Sequence, residues 1–423
     1  MSTAVVAPVA PPISVRTTLL PDEHSVTALL SLLPADGALA WVRNGDGLVG
    51  WGAAARAEFS GPERFSRAQR WWSAFVHDAE IHDAVGLPGT GPVAFASFAF
   101  DPDPGHSVVV VPRVIVGRRG KLAWITEVSA GNAEQTSSLA VSEAVDSAPL
   151  GARYSEGSRS VESWKGAVES AVERITSGEL DKVVLARDLD VTLDAPLDVR
   201  RLLERLTETY PECWTFSVDG LVGATPEMLV RRTGDEVTSR VLAGTIRRSQ
   251  DSGKDARLAE MLLASDKDHE EHGYAVRSVA AALAAHCTDL EVPARPRLLR
   301  LANVQHLATD VTGQLVDGAP VLALAASLHP TAAVCGTPTE RAFAVIRELE
   351  GMQRGRYAGP VGWMDGRGDG EFGIALRCAQ IDGNDARRLR LFAGCGLVAG
   401  SEPEVELAES ESKLDAMRGA LSD

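Results

Sequence analysis

Short apolar segments bounded by glycine and proline recur along most of the 423-residue chain, and this pattern constrains its fold more than any other feature. The runs at residues 93–100, 107–116 and 182–191 have the length and β-branched content of buried strands. Residues 38–52 place Asn-Gly and Asp-Gly between apolar runs, which indicates a hairpin. Strands with short connections and grouped rather than alternating helices predict an α+β fold built on antiparallel sheets.

Helical periodicity predicts the helices that flank these sheets. Residues 161–175 keep one face apolar, with Ser160 placed to cap the start and Gly178 to end the helix. A helix is also expected near residues 62–77, and longer helices at residues 255–286 and 403–421. The remaining strand-like segments are 214–223, 227–233, 237–243, 357–364, 372–382 and 388–393.

The domain organisation follows from composition along the chain. Residues 1–15 are rich in proline and alanine and predict a disordered tail. We expect one large domain over residues 16–423, with a polar, serine-rich connection at residues 134–160 between its halves.

Charge and cysteine usage exclude several classes of protein. The formal net charge is −16, which argues against nucleic acid, and an anionic substrate would need a local positive site or a metal ion. No uncharged apolar stretch reaches 18 residues, so no membrane span is expected. The five cysteines are scattered without a C-x-x-C pair, which indicates free thiols in a reducing cytoplasm.

Two acidic clusters have both a structural and a functional interpretation. Glu406, Glu409 and Lys413 share a face of the last predicted helix, where carboxylates either offset the helix dipole or hold a divalent cation. Lys267 and Glu271 are spaced by four residues, and their charge-rich segment is by default a solvated face with a surface salt bridge.

Three further features are ambiguous on their own. Lys182 opens a predicted strand and is either a gatekeeper at a sheet edge or a desolvated amine. Glu227 follows a proline at the start of a short strand. Residues 394–400 match a dinucleotide-type glycine pattern, but the chain ends before the second strand that such a fold needs. A glycine turn that brings backbone N–H groups near a substrate is the preferred interpretation.

In order, these segments form a distinctive series of motifs. The series is KVVLAR (182–187), GATPE (223–227), LAGT (242–245), LASDKDHEEH (263–272), His306, LHPT (328–331), RGRYAG (354–359), LRC (376–378), FAGCG (392–396) and Glu406-x-x-Glu409-x-x-x-Lys413. It resembles the chorismate-utilising enzymes over about residues 155–420, and more loosely in the N-terminal part.

The resemblance implies a single large α+β domain of antiparallel sheets flanked by helices, with chorismate as substrate and Mg²⁺ as cofactor. It implies that Glu271 and Glu409 ligate the metal, with Glu406 close by through water. Lys182 would be the general base that activates water for attack at ring C2, and Glu227 the general acid that protonates the departing C4 hydroxyl.

The resemblance also implies substrate contacts. Arg377 and Tyr357 match residues that bind the enolpyruvyl carboxylate, and His306 matches a histidine near the leaving hydroxyl. The other implied substrate contacts are Gly244, Thr245, Gly394, Gly396 and Lys413.

Two positions separate the branches of this family. Amine-transferring members have Gln in place of Lys182 or a lysine in place of Ala243, so water is the expected nucleophile and no glutaminase subunit is expected. The resemblance is closest to the branch that forms isochorismate, and a salicylate-forming enzyme that also eliminates pyruvate is the alternative. We expect a cytoplasmic monomer, and menaquinone, siderophore and salicylate formation all remain open as the use of the product.

Overall fold

The computed structural model describes residues 13–21, 28–130 and 148–422. Its helices are α1 (Arg64–Asp78), α2 (Val161–Thr176), α3 (Val199–Thr209), α4 (Ser252–Ala264), α5 (Asp266–Leu283), α6 (Val321–Leu328), α7 (Thr339–Leu349) and α8 (Pro403–Leu421). Its strands are β1 (Ile13–Leu19), β2 (Leu39–Arg43), β3 (Asp46–Trp51), β4 (Ala55–Phe59), β5 (Ala79–Asp83), β6 (Val93–Ser97), β7 (Ser107–Val111), β8 (Val114–Arg119), β9 (Leu122–Ala130), β10 (Arg153–Glu156), β11 (Lys182–Thr192), β12 (Trp214–Val218), β13 (Leu221–Thr225), β14 (Met228–Thr233), β15 (Glu236–Arg247), β16 (Cys287–Glu291), β17 (Arg297–Arg300), β18 (Val304–Leu315), β19 (Gly336–Thr337), β20 (Pro360–Asp365), β21 (Gly370–Ile374), β22 (Cys378–Ile381) and β23 (Arg388–Leu397).

The described strands form two large sheets. The first runs β10-β11-β23-β22-β13-β12-β2-β3-β8-β9-β1-β5, with β19 beside β11. The second runs β16-β18-β15-β14-β21-β20-β6-β7-β4, with β17 beside β18. The β1–β5 pair is parallel, whereas the long ladders that frame the site, β11–β23 and β15–β18, are antiparallel. This confirms the α+β prediction.

The main hydrophobic core joins the two sheets. It includes Trp41, Leu185 and Phe216 from the first sheet and Phe95 and Phe372 from the second. A second apolar cluster packs α3 and α8 against the first sheet. No described helix combines the length and apolarity that a membrane-spanning helix requires.

Several local predictions agree with the structure. Ser160 caps α2, because its side chain accepts a hydrogen bond from the Ser163 N–H. Residues 38–52 form the β2–β3 hairpin, and its turn residues Asn44 and Gly45 both have positive φ. The last helix has the predicted bounds, 403–421.

Several boundaries differ from the prediction. The segment expected at 372–382 is β21 and β22 in different sheets. The helix expected at 255–286 is two helices, because Ser265 adopts extended backbone and its side chain caps α5 at the Asp268 N–H. The strand expected at 107–116 is β7 and β8 in different sheets, interrupted at Pro112, which lacks a backbone N–H. The disordered tail expected at 1–15 is wrong for residues 13–15, which begin β1; residues 1–12 lie outside the described residues. Most of the predicted connection at 134–160 also lies outside them, and its later part contains β10.

A buried ion pair fixes the end of α7 against β11. Arg354 and Glu350 are 2.6 Å apart, with side chains only 2% and 1% exposed. Arg354 donates hydrogen bonds to the carbonyl oxygens of Val184 and Val334, and Glu350 accepts one from the Ala186 N–H. The pair therefore links three segments of backbone.

We expect Arg354→Met to lower the free energy of unfolding by about 3–5 kcal/mol, because it leaves the Glu350 carboxylate buried without a partner. Urea unfolding measures the change. The matched control is Arg347→Met on α7, whose ion pair with Asp101 is half-exposed and is expected to contribute less than about 1 kcal/mol. Equal small losses in both variants would contradict the structural role of the pair.

Candidate active site

A pocket lies where β11 and β23 of the first sheet meet β15 and β18 of the second, bordered by α5 and α8. Its empty volume, including the open mouth, is about 670 Å³. Eleven of the thirteen predicted site residues line it: Glu227, Gly244, Thr245, Glu271, His306, Tyr357, Arg377, Gly394, Gly396, Glu409 and Lys413. Lys182 and Glu406 do not belong to the lining, but each is ion-paired at the border of the pocket.

Gly394 and Gly396 lie within β23, so the glycine turn predicted near the C-terminus is wrong at its start. The close approach of neighbouring side chains requires glycine at position 396. A Cβ on Gly396 would lie 2.0 Å from Oε1 of Glu271 and 3.0 Å from Cε of Lys182. The absence of a side chain at Gly396 therefore makes room for this lysine and this glutamate.

Lys182 is fully buried on β11, so the interpretation as an edge gatekeeper is wrong. Its Nζ lies 3.1 Å from Oε1 of Glu271, yet within the described part of the chain it makes no hydrogen bond of good geometry. Glu271 therefore pairs with Lys182, and not with Lys267 as the helical spacing suggested. The result is a buried amine whose ion pair with Glu271 lacks hydrogen-bond geometry.

Each acidic residue predicted as a metal ligand is paired with a different lysine. The pairs are Lys182–Glu271 at 3.1 Å, Lys267–Glu406 at 2.9 Å and Lys413–Glu409 at 2.5 Å. Burial raises the pKa of Glu406, and the neighbouring Glu409 carboxylate raises it further. On α8, Glu406 and Glu409 therefore face the protein interior. On α5, the interpretation as a solvated face is wrong at Glu271, which pairs with the buried Lys182.

The donor chemistry of this cluster fits a hard divalent cation. Ligand atoms of Glu406, Glu409 and Cys395 lie within 4.8 Å of one another. Burial raises the pKa of Cys395 well above its usual value, and its thiol donates to the backbone carbonyl of Glu406. Because the thiol stays neutral, the available donors are carboxylate oxygens, including that of Glu271 across the pocket, and these are the ligands that Mg²⁺ prefers.

Glu227 is a buried carboxyl on the pocket wall between β13 and β14. Burial raises its pKa to about 8, although the Leu242 N–H and the positive charges of Lys182 and Lys413 oppose the shift. Glu227 is therefore largely protonated near neutral pH and can donate a proton.

His306 is neutral and held between two partners. Burial lowers its pKa well below the usual value, and the charges of Arg377 and Lys413 lower it further. Arg377 has only donors, so its contact of 3.3 Å makes Nε2 of His306 the acceptor. The proton is then on Nδ1, which donates to the Thr245 hydroxyl at 3.0 Å.

Aromatic and cationic side chains also line the pocket. Tyr357 stacks on Phe392 with ring centroids 5.0 Å apart, and burial raises the pKa of Tyr357, so its hydroxyl stays a neutral donor. Arg377 has a positive φ of 47°, an uncommon conformation for a residue with a side chain. With Lys413 it supplies the local positive charge that an anionic ligand requires in a protein of charge −16.

Sequence reasoning did not identify several lining residues. Apolar examples are Val184, Ala333, Val334, Leu376 and Phe392. Each lies inside a recognised motif or within three residues of one. This proximity was the available signal, because an apolar residue type does not distinguish a pocket wall from the core.

Comparison with known proteins assigns the chain to a class. Residues 39–422 match the family model described as chorismate binding enzyme. The chain therefore belongs to the chorismate-binding enzyme family.

Several of the individual relatives that the chain resembles are isochorismate synthases. The chain is 43% identical over 272 residues to the isochorismate synthase DhbC of Bacillus subtilis, covering 62% of this chain and 68% of that protein. It is 33% identical over 386 residues to the isochorismate synthase MenF of the same organism, covering 85% and 81%. Among solved structures, MenF of Escherichia coli, described as the menaquinone-specific isochorismate synthase, superposes with a TM-score of 0.79 at 29% identity, covering 98% and 95% of the two chains.

Proposed function

We propose that the protein is an isochorismate synthase, an isomerase that adds water at C2 of chorismate and releases the C4 hydroxyl. The observation that carries the proposal is the position of two groups at one pocket. The buried Lys182 amine lies at its border, and the Glu227 carboxyl, whose pKa burial raises to about 8, lies on its wall. Addition of water requires a base and departure of hydroxide requires an acid, and these two groups supply both.

In the proposed reaction the amine of Lys182 accepts a proton from water as the water oxygen bonds to C2. The two ring double bonds shift, and the C4–O bond breaks. Glu227 donates its proton to the departing oxygen, which leaves as water. One water enters and one leaves, so substrate and product are isomers.

The remaining lining residues bind and orient the substrate in this proposal. Arg377 and Tyr357 present a guanidinium and a hydroxyl to the enolpyruvyl carboxylate. His306 already donates its Nδ1 proton to Thr245 and accepts from Arg377. In this proposal His306 therefore orients Arg377 toward the substrate and does not act as the general acid.

We propose that Glu271 and Glu409 hold Mg²⁺, with Glu406 close by. When bound, the ion would supply positive charge to the ring carboxylate of chorismate. Nearby, Lys413 is fixed by a 2.8 Å hydrogen bond to the Gly394 carbonyl and remains available to the substrate.

Removing a ligand carboxylate tests this metal site. We expect Glu409→Gln and Glu271→Gln each to weaken Mg²⁺ binding by about 10- to 100-fold, because a neutral amide replaces an anionic donor. Isothermal titration of the free protein with Mg²⁺ measures this. The control is Glu404→Gln, on the same helix but paired with Lys165 away from the pocket. Unchanged binding in Glu409→Gln would refute the assignment.

Product analysis tests the function. Purified protein is incubated with chorismate and Mg²⁺ without ammonium, and the products and pyruvate are measured. Isochorismate without pyruvate is expected. Salicylate with equimolar pyruvate would move the function to the lyase branch. An aminated product after adding ammonium would contradict water as the nucleophile and the expected independence from a glutaminase subunit.

A further inference from the structure

Lys267 has no role in the chemistry described above, yet it contacts the proposed metal site. It lies in the first turn of α5, and its Nζ is 2.9 Å from Oε1 of Glu406. The Glu406 side chain is 2% exposed, whereas that of Lys267 is 35% exposed. The lysine therefore reaches from the solvent side to a carboxylate that is itself buried.

The field at Lys267 is that of the whole carboxylate cluster. The negative charge of Glu406 attracts the Lys267 ammonium most strongly, and Glu271 and Glu409 attract it in the same direction. The ammonium is therefore ion-paired with Glu406 and attracted by the two carboxylates that are proposed to hold the metal.

We propose that Lys267 is an internal counter-ion that competes with the divalent cation for Glu406 and leaves this carboxylate when the cation binds. The inference rests on the proposed metal site. An ammonium and a dication that share one carboxylate repel each other strongly at these distances. Withdrawal of the ammonium relieves this repulsion.

Lys267 is better suited to withdraw than the other two lysines of the cluster. Lys182 is fully enclosed on β11. Lys413 has a second partner, the Gly394 carbonyl at 2.8 Å. Lys267 is partly exposed, and its four-carbon side chain can carry the ammonium into water at small cost.

Removing the lysine should therefore strengthen metal binding. We expect Lys267→Gln to bind Mg²⁺ about tenfold or more tightly than wild type, measured by isothermal titration without chorismate, because the cation no longer displaces an ammonium. The matched control is Lys165→Gln. Lys165 pairs with Glu404, also in the first turn of α8, and the substitution makes the same change in net charge. Its Mg²⁺ affinity is expected to stay within about twofold of wild type.

A second measurement needs no variant. Acylation of lysine amines by an N-hydroxysuccinimide ester, mapped by mass spectrometry, is expected to increase at Lys267 when Mg²⁺ is added to the wild-type protein. Labelling of Lys165 is expected to be unaffected.

The possible results distinguish failure of the counter-ion role from failure of the proposed metal site or of the proposed function. Equal or weaker Mg²⁺ binding by Lys267→Gln, or unchanged labelling of Lys267, would overturn the counter-ion role and indicate that the lysine orients Glu406 for the metal. Failure of Glu409→Gln to weaken Mg²⁺ binding would instead remove the metal site and the inference together. Isochorismate formation tests the catalytic proposal independently of both.

Discussion

Replacing Lys182 with methionine is expected to lower kcat by about 10²–10⁴-fold, the range typical for loss of a general base. Methionine keeps most of the length of the buried side chain on β11 but cannot accept a proton from water. The loss should appear in kcat more than in KM, because the amine acts on the attacking water and not on the bound carboxylates. Steady-state kinetics with chorismate and saturating Mg²⁺ measure it.

A purely structural role for Lys182 predicts a different pattern. The substitution also leaves Glu271 without its lysine partner, so thermal unfolding and Mg²⁺ titration are measured on the same variant. Retained folding and metal binding with lost turnover would assign the effect to proton transfer. Turnover close to that of wild type would remove Lys182 as the base.

Replacing Glu227 with glutamine is expected to have a similarly large effect, about 10²–10⁴-fold on kcat, because the amide is not acidic enough to protonate a departing hydroxyl. The pH dependence gives the sharper signature. Burial raises the pKa of Glu227 to about 8, and the acid form is the active one. Wild-type kcat should therefore decline as pH rises through about 8.

The residual activity of Glu227→Gln should lack this alkaline decline, since the glutamine does not titrate. A pH profile of kcat for both proteins, recorded where each remains folded, makes the comparison. An alkaline limb that persists unchanged in the variant would show that another group limits the reaction, and Glu227 would lose its assignment as the acid.

Local signals explain how much of the fold could be predicted. The cap of α2 and the β2–β3 turn depend on a few adjacent residues, Ser160 in the first case and Asn44-Gly45 in the second. Their conformations follow from side-chain hydrogen bonding and from tolerance of positive φ. The break at Ser265 was missed because helical periodicity continues on both sides of it, and the break brings α5 to the pocket.

The pairing inside the site could not be predicted from spacing. Helical geometry correctly placed Glu409 next to Lys413, four residues away. The same rule paired Lys267 with Glu271, but Lys267 contacts Glu406, 139 positions further along the chain. Such partners are set by the tertiary fold, in which α5 packs on β15 and β18 while α8 packs on β23. The ordered motifs identified which residues gather in the pocket, but not how their charges are arranged.

The most direct test of the account is incubation of the protein with chorismate and Mg²⁺ in H₂¹⁸O without ammonium, followed by mass spectrometry of the product. Attack of solvent water at C2 predicts isochorismate that carries one ¹⁸O at the new hydroxyl, with no pyruvate released. Isochorismate without the label would contradict water activation by Lys182, because the oxygen would then have moved from C4 within the substrate.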